Sequence, residues 1–374
     1  MEAYHAYDYV PMTIFGCKGG TLEGDPGVNG VIIEGIHFDG NWKAIAEANY
    51  EAEGHPDPTY MANRKTHNTG IGLSKRCKNI TIRDCKFDNF QSAGIGMSGG
   101  VKHITIENCI IGEEGWHGYG WNKGIVCTYS QFTGYDPVEE TIAYITLRNN
   151  RIWNCGEHGI NIYTANKHCI IEGNYVKDCG LLYQNPNPEI TSNDYTWGHC
   201  IKASGGADLI IANNICINGF SGGIGMFGDT GDTSASIYKE DGNLGNIQII
   251  GNHIIGSDHE KSRGSGIEVG GYLNTIISNN IIENVHVHTY TNAYAVRCQA
   301  GSVISNNIIK NCEHGIGINV AYDELNDVHI GGTQISDNMV MSNVPIRMYY
   351  VEDAIVSNNI LTSLSNQEND GIHI

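Results

Sequence analysis

The sequence predicts an all-β fold, a right-handed single-stranded parallel β-helix in which short strands wind into a solenoid. Three observations support this prediction. One motif recurs along nearly the whole chain, its uninterrupted copies lie 24 to 28 residues apart, and 48 of the 374 residues are Gly whereas only 8 are Pro. A repeat of this length accommodates three short strands and their turns, so the chain is expected to form about 10–11 coils.

The recurring motif is a short alternating strand that ends in a polar turn. It is clearest in the stretches Ile80–Cys85, Ile104–Cys109 and Ile145–Asn150. A second apolar strand follows the turn, as at Ile281 and Ile282, and a third strand usually opens with Gly. Because apolar and polar residues alternate with a period of two, each segment is expected to face the interior with every second side chain.

The spacing of the turn residues predicts an internal hydrogen-bonded column. Copies are 24 residues apart between Cys85 and Cys109, and 27 residues apart between Asn280 and Asn307. Equivalent residues of consecutive coils lie about 4.8 Å apart, so an Asn at the turn can bond the Asn above and below it. The sequence therefore predicts an interior ladder of eight asparagines: Asn150, Asn174, Asn214, Asn252, Asn280, Asn307, Asn338 and Asn359.

Composition excludes several classes of partner. The formal charge of -19 and the lack of a Lys/Arg cluster argue against nucleic acid. No apolar run reaches the length of a membrane span, and Met1–His5 lacks the basic and apolar regions of a signal peptide, so no membrane partner is expected and the compartment stays open. The twelve Cys fall largely at equivalent points of the repeat, which favours reduced core thiols over a disulfide framework.

The repeat resembles that of the pectin-lyase-like superfamily, whose right-handed β-helices include polysaccharide lyases, glycoside hydrolases, sugar epimerases and phage tailspikes. The resemblance extends from Val31–Phe38 to Ile372. It implies a glycan lying in a groove along the face of the Gly-opened strands. The Asn-Thr-Asp, Asp-Asp, Gly-His-Gly and Arg-Ile-Lys signature of polygalacturonases is absent, and so is the Arg-x-Pro-x-x-Arg element of many pectate lyases.

The predicted domain organisation is one β-helix over residues 1–374, interrupted by loop insertions. These lie at 41–69, 112–123, 129–143, 180–198 and 228–245, and they flank the Gly-opened strand on both sides. Loops on a rigid scaffold are where binding sites are usually built, so they are expected to wall the groove. Terminal coils of a solenoid need cover, which leaves a homo-oligomer or additional capping domains open.

Alternation along the Gly-opened strands directs a set of polar residues into this groove. Glu268 is the predicted catalytic carboxylate because neighbouring glycines leave room for a ligand; its structural alternative is an ion pair with Arg297. Asp194 is the predicted partner, and Lys202, His199 and Arg297 are predicted to orient the sugar. Predicted substrate-binding residues are Asn161, Tyr163, Trp121, Trp197, Phe227, Glu157 and His158, with loop packing as the alternative for the aromatic ones.

Three functional hypotheses fit these residues. The first is a glycoside hydrolase that cleaves a poly- or oligosaccharide with paired carboxylates, favoured because an acidic chain disfavours a polyanionic substrate. The second is a polysaccharide lyase or uronate epimerase that uses a Lys or His base. The third is a non-catalytic glycan-binding spindle, such as a tailspike or adhesin. No metal or other cofactor is expected, although calcium stays open as a bridge to an anionic glycan.

Overall fold

The computed structural model describes most of the repeat. The described residues are 13–18, 28–41, 69–74, 77–90, 92–98, 100–112, 123–128, 142–180, 198–227, 245–257, 262, 264–270, 273–286, 293–299, 301–319, 322–323, 328–329, 332–349, 351, 353–365 and 371–373. These residues form strands and turns only. None of their segments is a helix long and apolar enough to cross a membrane.

The strands stack in parallel on three faces. The groove face contains Thr13–Lys18, Thr69–Ser74, Ala93–Ser98, Lys123–Thr128, the start of Ile160–Glu172, the start of His199–Ala212, Gly222–Phe227, Ser265–Gly270, Val296–Gln299, the end of Ile308–Asn319, the end of Met339–Met348, and Ile372–His373.

The second face follows the groove face in each coil. Its strands are Asn29–Glu34, Lys78–Arg83, Lys102–Glu107, Ile142–Arg148, the ends of Ile160–Glu172 and His199–Ala212, Gly245–Ile250, Leu273–Ser278, Val303–Ser305, Gln334–Ser336 and Ile355–Ser357.

The third face closes each coil with shorter strands. They are His37–Asp39, Lys86–Asp88, Ile110–Gly112, Arg151–Trp153, Tyr175–Cys179, Ile215–Gly219, His253–Ile255, Ile281–Glu283, the starts of Ile308–Asn319 and Met339–Met348, and Ile360–Ser363. Outside the solenoid, Tyr322–Asp323 pairs antiparallel with Val328–His329. The predicted parallel β-helix is confirmed.

The interior asparagine ladder is confirmed in full. From Asn174 to Asn359, each side-chain Oδ1 accepts the backbone N–H and the Nδ2–H of the preceding ladder residue, with Nδ2···Oδ1 distances of 2.9 to 3.0 Å. Each Nδ2 also donates to a backbone carbonyl, as Asn214 does to Ile171 at 2.9 Å. Cys109 extends the column, since its N–H donates to Oδ1 of Asn150. Every ladder amide is therefore satisfied inside the protein.

The residue before each ladder position explains the Asn-rich turns. It adopts a left-handed backbone conformation in coil after coil, with φ of 57° at Asn149, 56° at Asn213 and 57° at Asn279. Gly takes this place at Gly173 and Gly251. Asn, Asp and Gly tolerate this conformation at the lowest cost, so the same two-residue turn recurs without strain.

The core is made of the inward-facing Ile, Leu, Val, Met and Cys side chains. The eleven cysteines whose side chains the structure describes are all buried and unbridged. Burial raises the pKa of Cys169 and Cys298 to about 12, so these thiols stay protonated and behave as small apolar core residues. The expectation of reduced core thiols is confirmed for this part of the chain. The predicted loop insertions lie almost entirely outside the described residues.

Candidate functional site

The groove face presents one outward-facing residue per coil in a continuous column, which we call the groove column. In order it contains Gly72, Gly96, Val126, Asn161, Lys202, Gly225, Glu268, Arg297, Gly317 and Arg347. The first part is small and apolar. Polar and charged side chains begin at Asn161, which places the chemistry in the middle and later coils.

A buried ion pair lies beside the groove column at the entrance to two consecutive strands. Nζ of Lys123 is 2.6 Å from Oε2 of Glu157, and the two side chains are only 7% and 13% exposed. Burial would raise the pKa of Glu157, but the charge of Lys123, joined in acid by that of protonated His158, holds it at about 2. The carboxylate is therefore ionised at any pH at which the protein would work.

His158 completes this cluster in a defined tautomer. Its Nδ1 accepts the backbone N–H of His199 at 3.1 Å, so the neutral ring carries its proton on Nε2. Nε2 lies 3.1 Å from Oε1 of Glu157. Burial lowers the pKa of His158 to about 4, which keeps the imidazole neutral.

His199 lies across the groove floor of the next coil. A Cβ atom at Gly225 would come within 2.6 Å of Nε2 of His199, so only Gly leaves room for the imidazole there. The ring stands edge-on to Phe227 with 5.7 Å between centroids. Burial also lowers the pKa of His199, so its ring is neutral. Its Nδ1 is buried and has no hydrogen-bond partner.

Lys202 brings an amine into the same place. Its side chain is buried, with 8% exposure, and Nζ lies 5.9 Å from the centre of the Phe227 ring. Burial lowers its pKa to about 8, Glu157 opposes this effect, and Lys123 adds to it. Asn161 precedes Lys202 by one coil, is 4% exposed, and leaves Oδ1 buried without a partner. A buried amine with a lowered pKa thus lies one coil from Asn161 and in the same strand as His199, and each of these two residues leaves a polar atom unpartnered.

Glu268 and Arg297 occupy consecutive positions of the groove column. Nη1 of Arg297 donates to Oε1 of Glu268 at 3.1 Å, and the side chains are 34% and 25% exposed. Burial raises the pKa of Glu268, partly offset by the charge of Arg297. The ion pair with Arg297, which was the structural alternative to a catalytic role for Glu268, is therefore present. The carboxyl group still faces the groove.

The spacing of the described carboxylates limits hydrolytic chemistry. Glu157 and Glu268 lie three coils apart, which is about 14 Å along the solenoid axis. Paired glycosidase carboxyls lie roughly 5 to 9.5 Å apart. These two residues are therefore too distant to act on one glycosidic bond.

The remaining predicted site residues fall into two groups. Asp194, Trp121 and Trp197 lie outside the described residues, and the Tyr163 side chain lies outside them too. The structure brings Asn161, Glu157, His158, His199, Lys202 and Phe227 into one cluster, and it sets Glu268 and Arg297 two and three coils further along. Lys202 and Arg297 are thus about 14 Å apart along the axis and do not reach the same sugar unit.

Sequence reasoning missed Lys123. The signal was its place directly before the Gly that opens its strand, the place that His158 holds in the next coil. The residues at this position form a second outward column at the entrance to the groove strands. Within the described ranges, no group of three or more His, Cys, Asp or Glu side chains could hold a metal ion.

Comparison with known proteins bears on the fold. A family model described as the right-handed β-helix region matches residues 139–240. The chain has the fold of the right-handed β-helix proteins. The fold that the sequence resemblance implied is confirmed. A search among curated protein sequences finds no match.

Solved structures with the same fold include three enzymes. A DFA-IIIase variant of Arthrobacter chlorophenolicus is 12% identical with a TM-score of 0.50, covering 85% of this chain and 66% of its own. The A-module of a mannuronan C-5 epimerase of Azotobacter vinelandii is 14% identical with a TM-score of 0.48, covering 82% and 80%. An alginate lyase of a Paenibacillus species is 13% identical with a TM-score of 0.45, covering 92% and 99%. At such identities the likeness concerns the fold alone.

Proposed function

We propose that the chain is a carbohydrate-active enzyme that removes a proton from a uronic acid unit of a glycan, as a lyase or an epimerase, with Lys202 as the base. The observation that carries this proposal is the buried Lys202 side chain, which is in register with Asn161 of the preceding coil and shares a strand with His199, two residues that each leave a buried polar atom unpartnered. Buried polar atoms without partners are costly, and a sugar hydroxyl could donate to Oδ1 of Asn161 and pair with Nδ1 of His199.

The electrostatics of Lys202 suit proton abstraction. The proton on the carbon next to a uronate carboxylate is removed by a base whose pKa lies near the working pH. With its pKa at about 8, about a tenth of Lys202 is neutral at pH 7, and its lone pair can take that proton. The resulting enolate then regains a proton on the opposite face in epimerisation, or expels the C4 oxygen in elimination. The amide of Asn161, one coil away, can donate to the sugar carboxylate as negative charge develops on it.

The neighbouring network would position the base rather than react. Lys123 neutralises Glu157, Glu157 faces the proton on Nε2 of His158, and His158 accepts the backbone N–H of His199. Each contact restrains the next. The result is a fixed imidazole at His199 beside the Lys202 amine.

The local charge of the groove supports an acidic substrate in spite of the chain's net charge of -19. Among described residues from 123 to 347, the groove strands and their preceding turns carry the cations Lys123, Lys202, Arg297 and Arg347, and the carboxylates Glu157, Glu268 and Glu313. The acidic whole-chain balance argued for a neutral glycan. The distribution of charge around the groove favours an anionic one instead.

Hydrolysis is the second candidate, and the raised pKa of Glu268 is the observation that favours it. A carboxyl group that keeps its proton can serve as a general acid. Its predicted partner Asp194 lies outside the described residues. Under this candidate Lys202 and His199 would bind sugar without moving a proton.

The proposal is tested by incubating the protein with polyuronates and neutral glycans in D2O. Deuterium uptake at C5 of a uronate, seen by NMR, indicates proton abstraction; an accompanying unsaturated product indicates elimination, and an inverted uronate indicates epimerisation. Lys202→Met should reduce this exchange by about 100-fold or more, as expected for loss of a general base. The matched control is Lys310→Met, which removes an exposed lysine of the third face.

Two results would overturn the proposal. One is full activity in Lys202→Met. The other is release of reducing ends from a neutral glycan with no exchange at any uronate, which would favour the hydrolytic candidate.

A further inference from the structure

A second polar cluster lies further along the groove face, five coils beyond Lys202. It consists of Tyr294, His314, Arg347 and Tyr349. Arg347 stands five positions after Lys202 in the groove column, which corresponds to about 24 Å along the solenoid axis. None of these residues contacts the cluster around Lys202.

The floor of this cluster repeats the arrangement seen at His199. The Tyr294 ring lies across Gly317 of the next coil, where a Cβ atom would come within 2.7 Å of the ring. Tyr294 is 2% exposed, and its ring lies 4.9 Å from the ring of His314. Burial raises the pKa of Tyr294, whose hydroxyl bonds Arg347 and Tyr349. The aromatic floor is therefore tied to the cation above it.

Arg347 is held in place by its neighbours, but not all of its N–H groups have a hydrogen-bond acceptor in the protein. Its guanidinium lies over the Tyr349 ring, 4.7 Å from the centroid. In the described part of the chain no carboxylate forms an ion pair with it, unlike Arg297, which pairs with Glu268. Its Nε is buried and has no hydrogen-bond partner, and the same is true of Nδ1 of His314.

We infer that Arg347, with His314 and Tyr349, forms a subsite that binds the carboxylate of an acidic sugar unit distant from the reacting one. The planar guanidinium of Arg347, which no described carboxylate pairs with, matches the two oxygens of a carboxylate in shape and charge. Tyr349 offers a ring edge to the same sugar. Burial lowers the pKa of His314, so its neutral ring adds a hydrogen-bonding group without further charge.

This inference rests on the proposed function for its substrate class and adds a requirement on length. A glycan that contacts both Lys202 and Arg347 must extend over five coils of the solenoid. The substrate is then a polyuronate chain, and short oligosaccharides engage only one of the two clusters.

The test measures binding and turnover of oligouronates of two lengths, a trisaccharide and an octasaccharide, prepared from mannuronate, guluronate and galacturonate. Calorimetry reports affinity, and deuterium exchange at C5 reports turnover. Arg347→Gln should weaken octasaccharide binding roughly 10- to 100-fold, the loss expected for a charge-assisted hydrogen-bond pair. Trisaccharide turnover and neutral-oligosaccharide binding should stay within about twofold of the parent.

The matched control is Arg151→Gln. Arg151 also lies over a tyrosine, 5.9 Å from the Tyr175 ring, but on the third face. It should leave all affinities unchanged. If Arg347→Gln does not fold, Arg347→Lys keeps the positive charge while losing the bidentate geometry, and it should weaken octasaccharide binding less than the Gln variant would.

The failure of this inference differs from the failure of the proposed function. Octasaccharide affinity that is unchanged in the Arg347 variants overturns the subsite, whether or not uronates are turned over. If octasaccharide binding is weaker in the Arg347 variants but no deuterium exchange occurs at C5, the subsite is supported and the proton-abstraction chemistry is overturned.

Discussion

The asparagine ladder and the groove column are both stacks of one residue per coil, and they have opposite characters. The ladder repeats one side chain from Asn150 to Asn359, and consecutive amides hydrogen-bond to each other. The groove column changes residue at nearly every coil and leaves Oδ1 of Asn161 and Nε of Arg347 unpartnered. Identical stacked residues satisfy one another, whereas a varied stack leaves polar groups available to a ligand.

The largest expected effect is on the ladder. Asn214→Leu removes the acceptor for the Asn174 N–H and Nδ2–H and the donor to the Ile171 carbonyl, leaving these groups buried and unpaired. We expect a loss of about 4 kcal/mol in the free energy of unfolding, measured by urea denaturation. Asn213→Gly, at the adjacent exposed left-handed position, should cost less than about 1 kcal/mol. Equal losses of unfolding free energy in the two variants would show that the hydrogen bonds of the ladder amides do not stabilise the fold.

A Cβ added to the groove floor should affect activity more than folding. In Gly225→Ala the new methyl group meets His199 at 2.6 Å and Phe227 at 2.9 Å, so these two rings near Lys202 must shift. We expect at least about a tenfold loss of turnover and a stability loss of about 1–3 kcal/mol from overpacking. Gly270→Ala is the matched control, because nothing lies within 4 Å of its new Cβ atom. Full activity in Gly225→Ala would show that the reaction does not depend on the position of His199.

Acid should destabilise the groove cluster in two stages. The pKa of His158 is about 4 in the folded protein and 6.5 when exposed, so the unfolded state binds more protons between these values and stability falls as pH drops through them. Glu157, with its pKa at about 2 instead of 4.5, extends the loss below pH 4.5. The first stage amounts to about 3 kcal/mol. Between pH 6.5 and 4, the thermal midpoint of His158→Gln should fall less than that of the parent protein. An identical dependence of the midpoint on pH in the two proteins would contradict this account.

The smallest expected effect is that of Glu268→Gln. The residue is partly exposed and pairs with Arg297, so replacement should change the unfolding free energy by less than about 1 kcal/mol. With Lys202 as the base, turnover should stay within a few fold of the parent in the deuterium-exchange assay. A loss of several orders of magnitude would instead support hydrolysis with Glu268 as the acid or nucleophile.

The sequence by itself determined the fold, the ladder and the direction of the groove residues. Stacking repeats a local rule: the same turn, with Asn279 left-handed and Asn280 inward, recurs in every coil, so spacing and alternation predict which side chains are buried. The same alternation correctly directed Lys202 and Glu268 outward.

Only the tertiary structure decided which of these residues meet. The sequence treated Glu268, Lys202 and Arg297 as one site, but the coils between them hold Lys202 away from the other two. It also could not show that Lys123 reaches Glu157, that His199 lies over Gly225, or that burial shifts the pKa of Lys202 to about 8. Which side chains of neighbouring coils meet depends on the spacing between coils and on the rotamer of each side chain. The repeat pattern of the sequence predicts neither.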